Sequence, residues 1–183
     1  MEIIVGISGA SGAMYGIRLL EVLAEKGVQT HLVLTKAAKQ IIELETDYSP
    51  EAVQKLATWN HASSDFSASI ASGSHVTRGM VIAPCSMKTL GAVANGISDT
   101  LLTRAADVCL KEERKLILLT RETPLSLIHI ENMLKAKKAG ASILPACPGF
   151  YSRPKTIDDL IDTIVGRVLD LLGIENDIYR RWE

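Results

Sequence analysis

The first 27 residues constrain this chain more than any other stretch. Ile3-Ile4-Val5-Gly6-Ile7 is a short, β-branched apolar run, the pattern of a strand buried on both faces within a parallel sheet. Ser8-Gly9-Ala10-Ser11-Gly12-Ala13 follows at once. From Tyr15 to Lys26, Ile17, Leu20, Val22 and Leu23 alternate with Arg18, Glu21 and Glu25 in a helical pattern that Gly27 ends. A strand, a turn of small residues and a helix form the unit from which right-handed parallel α/β sheets are built.

The unit recurs along the chain. Strands are expected at Gln29–Leu34, at Met80–Ala83 with Pro84 as the stop, at Leu116–Leu119 and at Ser142–Leu144. Helices are expected at Ala37–Glu45, Lys88–Ala94, Leu101–Leu110, Ile128–Ala139 and Ile157–Leu172. Glu51–Thr58 fits a short helix, and the Ser/Ala-rich stretch from Asn60 to Gly73 reads as loop with room for one brief strand. The expected fold is a three-layer, doubly wound α/β parallel sheet of Rossmann-like or flavodoxin-like type, one domain over residues 1–183.

Composition narrows the function classes. A net charge of −1 leaves no basic stripe for nucleic acid. Cys85, Cys109 and Cys147 form neither a C-x-x-C pair nor an even framework, which points to a reducing cytoplasm rather than to disulfides or structural zinc. The start lacks a basic, then apolar, leader and no apolar run is long enough to span a membrane, so the chain reads as soluble and untargeted.

In a doubly wound sheet ligands sit beyond the carboxyl ends of the strands. The opening turn spaces its glycines G-x-x-G-x-x-G from Gly6, so neither a dinucleotide fingerprint nor a P-loop is present. Its backbone amides can still meet an anion at a helix start, or the turn can be a tight connection that binds nothing. No acid follows the second strand at Leu34-Thr35-Lys36, where a ribose diol would need one. Pro84-Cys85-Ser86-Met87-Lys88-Thr89 offers hydroxyls and a cation; Cys85 reads better as a small hydrophobe than as a nucleophile. Thr120-Arg121-Glu122-Thr123-Pro124 can supply an anion clamp and a proton-transfer carboxyl, or merely a surface ion pair. Pro145–Tyr151 delivers two aromatics suited to a planar ring, an isoprenoid tail or ordinary packing. His129 and Glu131 do not share a helix face, and no metal ligand set emerges.

Taken in order, Ser8–Gly16, Glu45-Thr46-Asp47, Pro84-Cys85-Ser86, Arg104–Val108, Arg121–Pro124 and Pro145–Tyr151 resemble the UbiX-type flavin prenyltransferases, long described as phenylacrylic or hydroxyaryl acid decarboxylases. They fall within the homo-oligomeric flavin-containing cysteine decarboxylase group. The resemblance implies a metal-independent transferase that joins dimethylallyl phosphate to reduced FMN, first at N5 and then at C6, for use by a separate UbiD-type decarboxylase. It places Gly9, Ala10, Ser11, Thr35, Ser86, Met87, Lys88, Thr89 and Arg121 on FMN, with Ser11 beside the reacting nitrogen and Glu122 handling protons during ring closure. Glu45, Lys111, Tyr151 and Arg167 would surround the donor phosphate, with Glu45 either protonated or balanced by Lys111 and Arg104. The tail, residues 174–183, would close the site with Trp182, in its own or a neighbouring subunit of a large homo-oligomer, a dodecamer. His75 reads as a surface residue. Two rivals are a flavin-dependent decarboxylase acting on its own substrate and a non-catalytic flavin carrier. Against a cysteine decarboxylase, Pro148-Gly149-Phe150-Tyr151 lacks the Asn and Met of that group's P-x-M-N-x-x-M-W segment.

Overall fold

A computed structural model of the protein describes residues 1–182. The elements run β1 (Glu2–Ile7), α1 (Ala13–Glu25), β2 (Gln29–Leu34), α2 (Lys36–Glu45), α3 (Pro50–Gln54), β3 (Trp59–His61), a 3-10 turn (Ser69–Ala71), β4 (Gly79–Cys85), α4 (Met87–Ala94), α5 (Leu101–Lys111), β5 (Lys115–Thr120), α6 (Leu127–Lys138), β6 (Ser142–Pro145) and α7 (Ile157–Leu172). All strand pairs are parallel, in the order β3-β2-β1-β4-β5-β6, which is the doubly wound Rossmann order.

The apolar runs follow from burial on both faces. Ile3, Val5, Ile7, Leu32, Leu34, Val81, Ala83, Ile117 and Leu119 point into one core, with α1 and α7. Ile4, Val33, Met80, Ile82, Leu116 and Leu118 point into the other, with α4, α5 and α6. Each fully buried Ile or Leu contributes roughly 1.5–3 kcal/mol, so the double core fixes the frame on which the loops are hung. Arg18 on α1 ties the outer layer to α7 through Asp162, with contacts of 2.7 and 3.3 Å.

One segment differs from expectation. Pro84 does not stop β4: the strand continues to Cys85, and the pairing with β5 shifts register between Ile82 and Cys85. A missing N–H is tolerated at such an irregularity, and the Pro84 carbonyl instead accepts from Ser8. The brief strand allowed for in the Asn60–Gly73 stretch is β3, which starts one residue earlier, at Trp59, and pairs with β2.

The C-terminal tail docks on α7. Asn176 is buried and donates to Asp170 at 3.0 Å, and the Tyr179 hydroxyl donates to the same carboxylate at 2.6 Å. The Tyr179 ring lies against Gly166, where any side chain would collide with it. Arg181 adds a contact of 2.8 Å to Asp170. Burial alone would raise the Asp170 pKa, but hydrogen bonds from Arg181, Tyr179 and Asn176 hold it at about 2. Glu183, the last residue of the expected closing tail, lies outside the described residues.

Candidate active site

The strand order reverses between β1 and β4, whose crossovers leave in opposite directions, and a crevice opens at their carboxyl ends. Ser8 joins its two sides. Its hydroxyl donates to the Pro84 carbonyl and accepts from the Ser86 amide, both at 2.8 Å, with only 1% of the residue exposed. The opening turn and the turn after β4 are therefore held in fixed relation.

Beside this clamp lies a cleft of about 650 Å³ lined by Gly9, Thr35, Lys36, Ala37, Ser86, Met87, Lys88, Thr89, Thr100, Thr103 and Glu122, among others. Three helices begin on it. Thr35 caps α2 by accepting from the Ala38 amide at 3.1 Å, Ser86 caps α4 through Thr89 at 3.3 Å, and Thr100 caps α5 through Thr103 at 3.3 Å. Each helix start carries roughly half a positive charge, and Lys36 and Lys88 add whole ones. Such a cleft favours a compact anion such as a phosphate monoester, and its size suits a mononucleotide. The sequence reading found Thr35 and the Ser86–Thr89 turn but missed Lys36, Thr100 and Thr103. The Thr100/Thr103 capping box was legible as a helix start, but not that this start faces the other two.

The start of α1 behaves differently. Its N-cap, Gly12, offers no side-chain hydrogen bond, and Glu45 from the end of α2 takes that place. Glu45 Oε2 accepts from the Gly12 amide at 2.7 Å and from the Ala13 amide at 3.4 Å. Desolvation would raise this carboxyl, but Ser11, the two amides and the nearby Arg121 charge together hold it below the ordinary carboxylate range. Glu45 is thus balanced by a helix start and Arg121. Lys111 and Arg104, expected to balance it, are engaged elsewhere: Arg104 donates to the Ala71 carbonyl at 3.0 Å and pairs with Asp107, while Lys111 pairs with Glu112 at the far end of α5. The α1 amides read from sequence as an anion cradle are therefore already occupied by a carboxylate.

Glu122 lines both the large cleft and a smaller cavity of about 240 Å³ that also touches Arg121, Pro145 and Cys147. It is exposed and accepts from the Thr123 amide at 3.1 Å. Ala10 is buried in the opening turn. Tyr151 packs edge-on against Trp182 at 5.3 Å, and Arg167 pairs with Asp170 at 2.9 Å beneath Tyr179. Tyr151 and Arg167 thus both meet the docked C-terminal segment, through Trp182 and through the Asp170 that holds Tyr179. Cys85 is fully buried and its thiol is pushed up to about 12 by that burial, so it is no nucleophile. His129 caps α6, whereas His75, read as a surface residue, lies 2.9 Å from Glu2.

The chain matches the family model described as Flavoprotein over residues 1–169. The flavin prenyltransferase UbiX of Methanothermobacter thermautotrophicus is 54% identical over 180 residues, spanning 98% of this chain and 94% of that protein. A crystal structure of AnUbiX (PadA1) in complex with FMN and dimethylallyl pyrophosphate superposes with a TM-score of 0.98 at 48% identity, covering 100% of this chain and 97% of that one. A dodecameric FMN-dependent Ubix-like decarboxylase from Escherichia coli O157:H7 gives 0.98 at 50% identity, with 100% of both chains covered.

Proposed function

The chain belongs to the flavoprotein family of UbiX flavin prenyltransferases, and on that premise we propose that it joins the dimethylallyl group of dimethylallyl phosphate to reduced FMN. Bonds form at flavin N5 and then C6, and phosphate leaves. The observation that carries this reading is the convergence of three helix starts, Lys36 and Lys88 on one cleft at the sheet's switch point. That cleft fits FMN: Thr35, Lys36 and the Ser86–Thr89 turn would hold its phosphate, and Gly9, Ala10 and Arg121 would flank its ring. Bound there, reduced FMN supplies the nucleophilic nitrogen and carbon of the reaction.

The chain's own groups then have distinct tasks. Glu45, by holding the Gly12 and Ala13 amides, fixes the opening turn that carries Ser11 beside the ring. Closing the second bond adds a proton to the prenyl double bond and removes the one on flavin C6, and Glu122, which lines both cavities, would handle these protons. Cationic side chains stabilise the departing phosphate, and Tyr151 and Trp182 present aromatic faces to the allylic cation.

Arg104 and Lys111 do not meet the cleft of their own chain, and assembly into a homo-oligomer, a dodecamer in our reading, would deliver them from a neighbour. The exposed Leu127, Ile128, Ile130 and Leu134 of α6 support association, because an apolar face of this kind is stabilised by burial against another copy. Closure by the tail and by a neighbour excludes water, which would otherwise capture the cation. Among the described residues no helix is long and apolar enough to cross a membrane, and three free thiols support action in the cytoplasm. The product would pass to a UbiD-type decarboxylase.

The test is anaerobic incubation of the pure protein with reduced FMN and dimethylallyl phosphate, following inorganic phosphate. One phosphate released per flavin consumed, with no carbon dioxide from a supplied aromatic acid, is the expected result. Carbon dioxide release without phosphate release would instead establish the decarboxylase reading.

A further inference from the structure

Three of the four histidines gather on the amino-terminal side of the sheet's β1–β2 pair, where His31 stands in register with Ile4, about 13 Å along the strand from the opening turn. Glu2 opens β1, His31 lies on β2, His61 ends β3, and His75 sits on the segment entering β4. Glu2 Oε2 is 3.1 Å from His31 Nε2 and 2.9 Å from His75 Nε2, and the two imidazole nitrogens are 3.4 Å apart. Ligand atoms bound at about 2.0–2.1 Å around a tetrahedral zinc ion stand about 3.3 Å from one another, and cis ligands of an octahedral ion about 2.9 Å. The three atoms already form a triangle of that size.

Two further observations distinguish this triangle from a chance ion pair. The other nitrogen of His31, Nδ1, lies 2.9 Å from His61 Nε2. A metal-bound imidazole uses such a second hydrogen bond to fix its tautomer and ring orientation. His31 itself is 3% exposed and is wedged against Trp59 at 4.4 Å, so one ligand is rigid. His75 and Glu2 retain partial exposure, which leaves an entry path and a position for water.

We infer that Glu2, His31 and His75 form a binding site for one divalent transition metal of the zinc class, which would staple β1, β2 and the segment entering β4. Two imidazoles and one carboxylate select zinc, cobalt, nickel or copper over magnesium and calcium. None of the three ligands lines the cleft, and the site plays no part in prenyl transfer.

The experiment uses the full chain, free of any affinity tag and stripped with a chelator. Zinc is titrated by calorimetry against a magnesium control. Cobalt is titrated by tryptophan fluorescence in a Trp182→Phe background, so that Trp59 alone reports. Expected are one zinc per chain, no magnesium binding, quenching of Trp59 by cobalt, and a melting temperature that rises with free zinc. His75→Ala removes a partly exposed loop ligand and should weaken zinc at least about tenfold, as should Glu2→Gln. The inference is overturned if the wild-type chain shows no saturable zinc site, if zinc binding survives both substitutions, or if bound cobalt leaves Trp59 unquenched.

Discussion

Replacing Gly9 with alanine should separate the two halves of the cleft. A Cβ built on Gly9 overlaps the Cβ of Ala37 at the start of α2 and stands 3.5 Å from the Ala37 backbone. Packed carbons keep about 3.5–4.0 Å, so the opening turn and the α2 start must part by more than about 1 Å. Overpacking of this kind costs about 1–3 kcal/mol of stability. Because Gly9 and Ala37 both line the cleft, FMN should bind more weakly by about 10- to 100-fold, the range expected when a site is displaced by about 1 Å. Ala37→Gly alone should cost at most about 1 kcal/mol from helix propensity and leave FMN affinity intact. In the double variant the colliding atom is gone, so affinity should return to within a few-fold of wild type. The assay is FMN fluorescence quenching across the four-member cycle, with melting temperatures measured in parallel. Additive losses, or a Gly9→Ala protein that binds FMN normally, would refute the close contact as the reason for glycine.

Glu122→Gln should retain FMN affinity while ring closure slows by about 10²–10⁴-fold, so that singly alkylated flavin accumulates on mass analysis of the extracted product. Asp170→Asn should free the tail, visible as faster tryptic cleavage after Arg180 and Arg181, and should cost about 1–2 kcal/mol after allowance for partial exposure. The wild-type contribution of Asp170 is present above the unfolded carboxyl value near 3.8 and is lost as pH falls toward its folded value of about 2; an Asp170→Asn difference that persists undiminished at pH 2 would contradict it. Glu45→Gln removes the charge at the start of α1 and should lower the urea-derived stability by about 1 kcal/mol, while an unchanged midpoint would show that the carboxylate does not cap that helix.

Most of the frame was legible because local chemistry and tertiary burial agree. The runs at β1, β5 and the Leu32–Leu34 half of β2 are apolar on both faces, and Gly27 and Gly173 end α1 and α7 where the sequence stops them. Pro84 misled, because its missing N–H falls at a register shift that only the partner strand reveals. At the site, residues directly after strands were found from sheet topology, as with Gly9, Thr35, Ser86 and Glu122. Residues contributed by distant helix starts, Thr100 and Thr103, were not, because no spacing in the chain says that α5 begins opposite α2 and α4. Glu45 was identified through resemblance, but its partners within the chain, the Gly12 and Ala13 amides, were not, since they lie some 33 residues earlier. The Glu2, His31 and His75 triangle draws on three separate segments and leaves no local motif to read.

Prenyl transfer is tested most directly by the mass of the flavin itself. The pure protein, incubated without oxygen with reduced FMN and dimethylallyl phosphate, should yield extracted flavin heavier by one dimethylallyl-derived unit, with the new ring closed. Recovery of unmodified FMN after prolonged incubation of folded, FMN-bound protein would contradict the assignment.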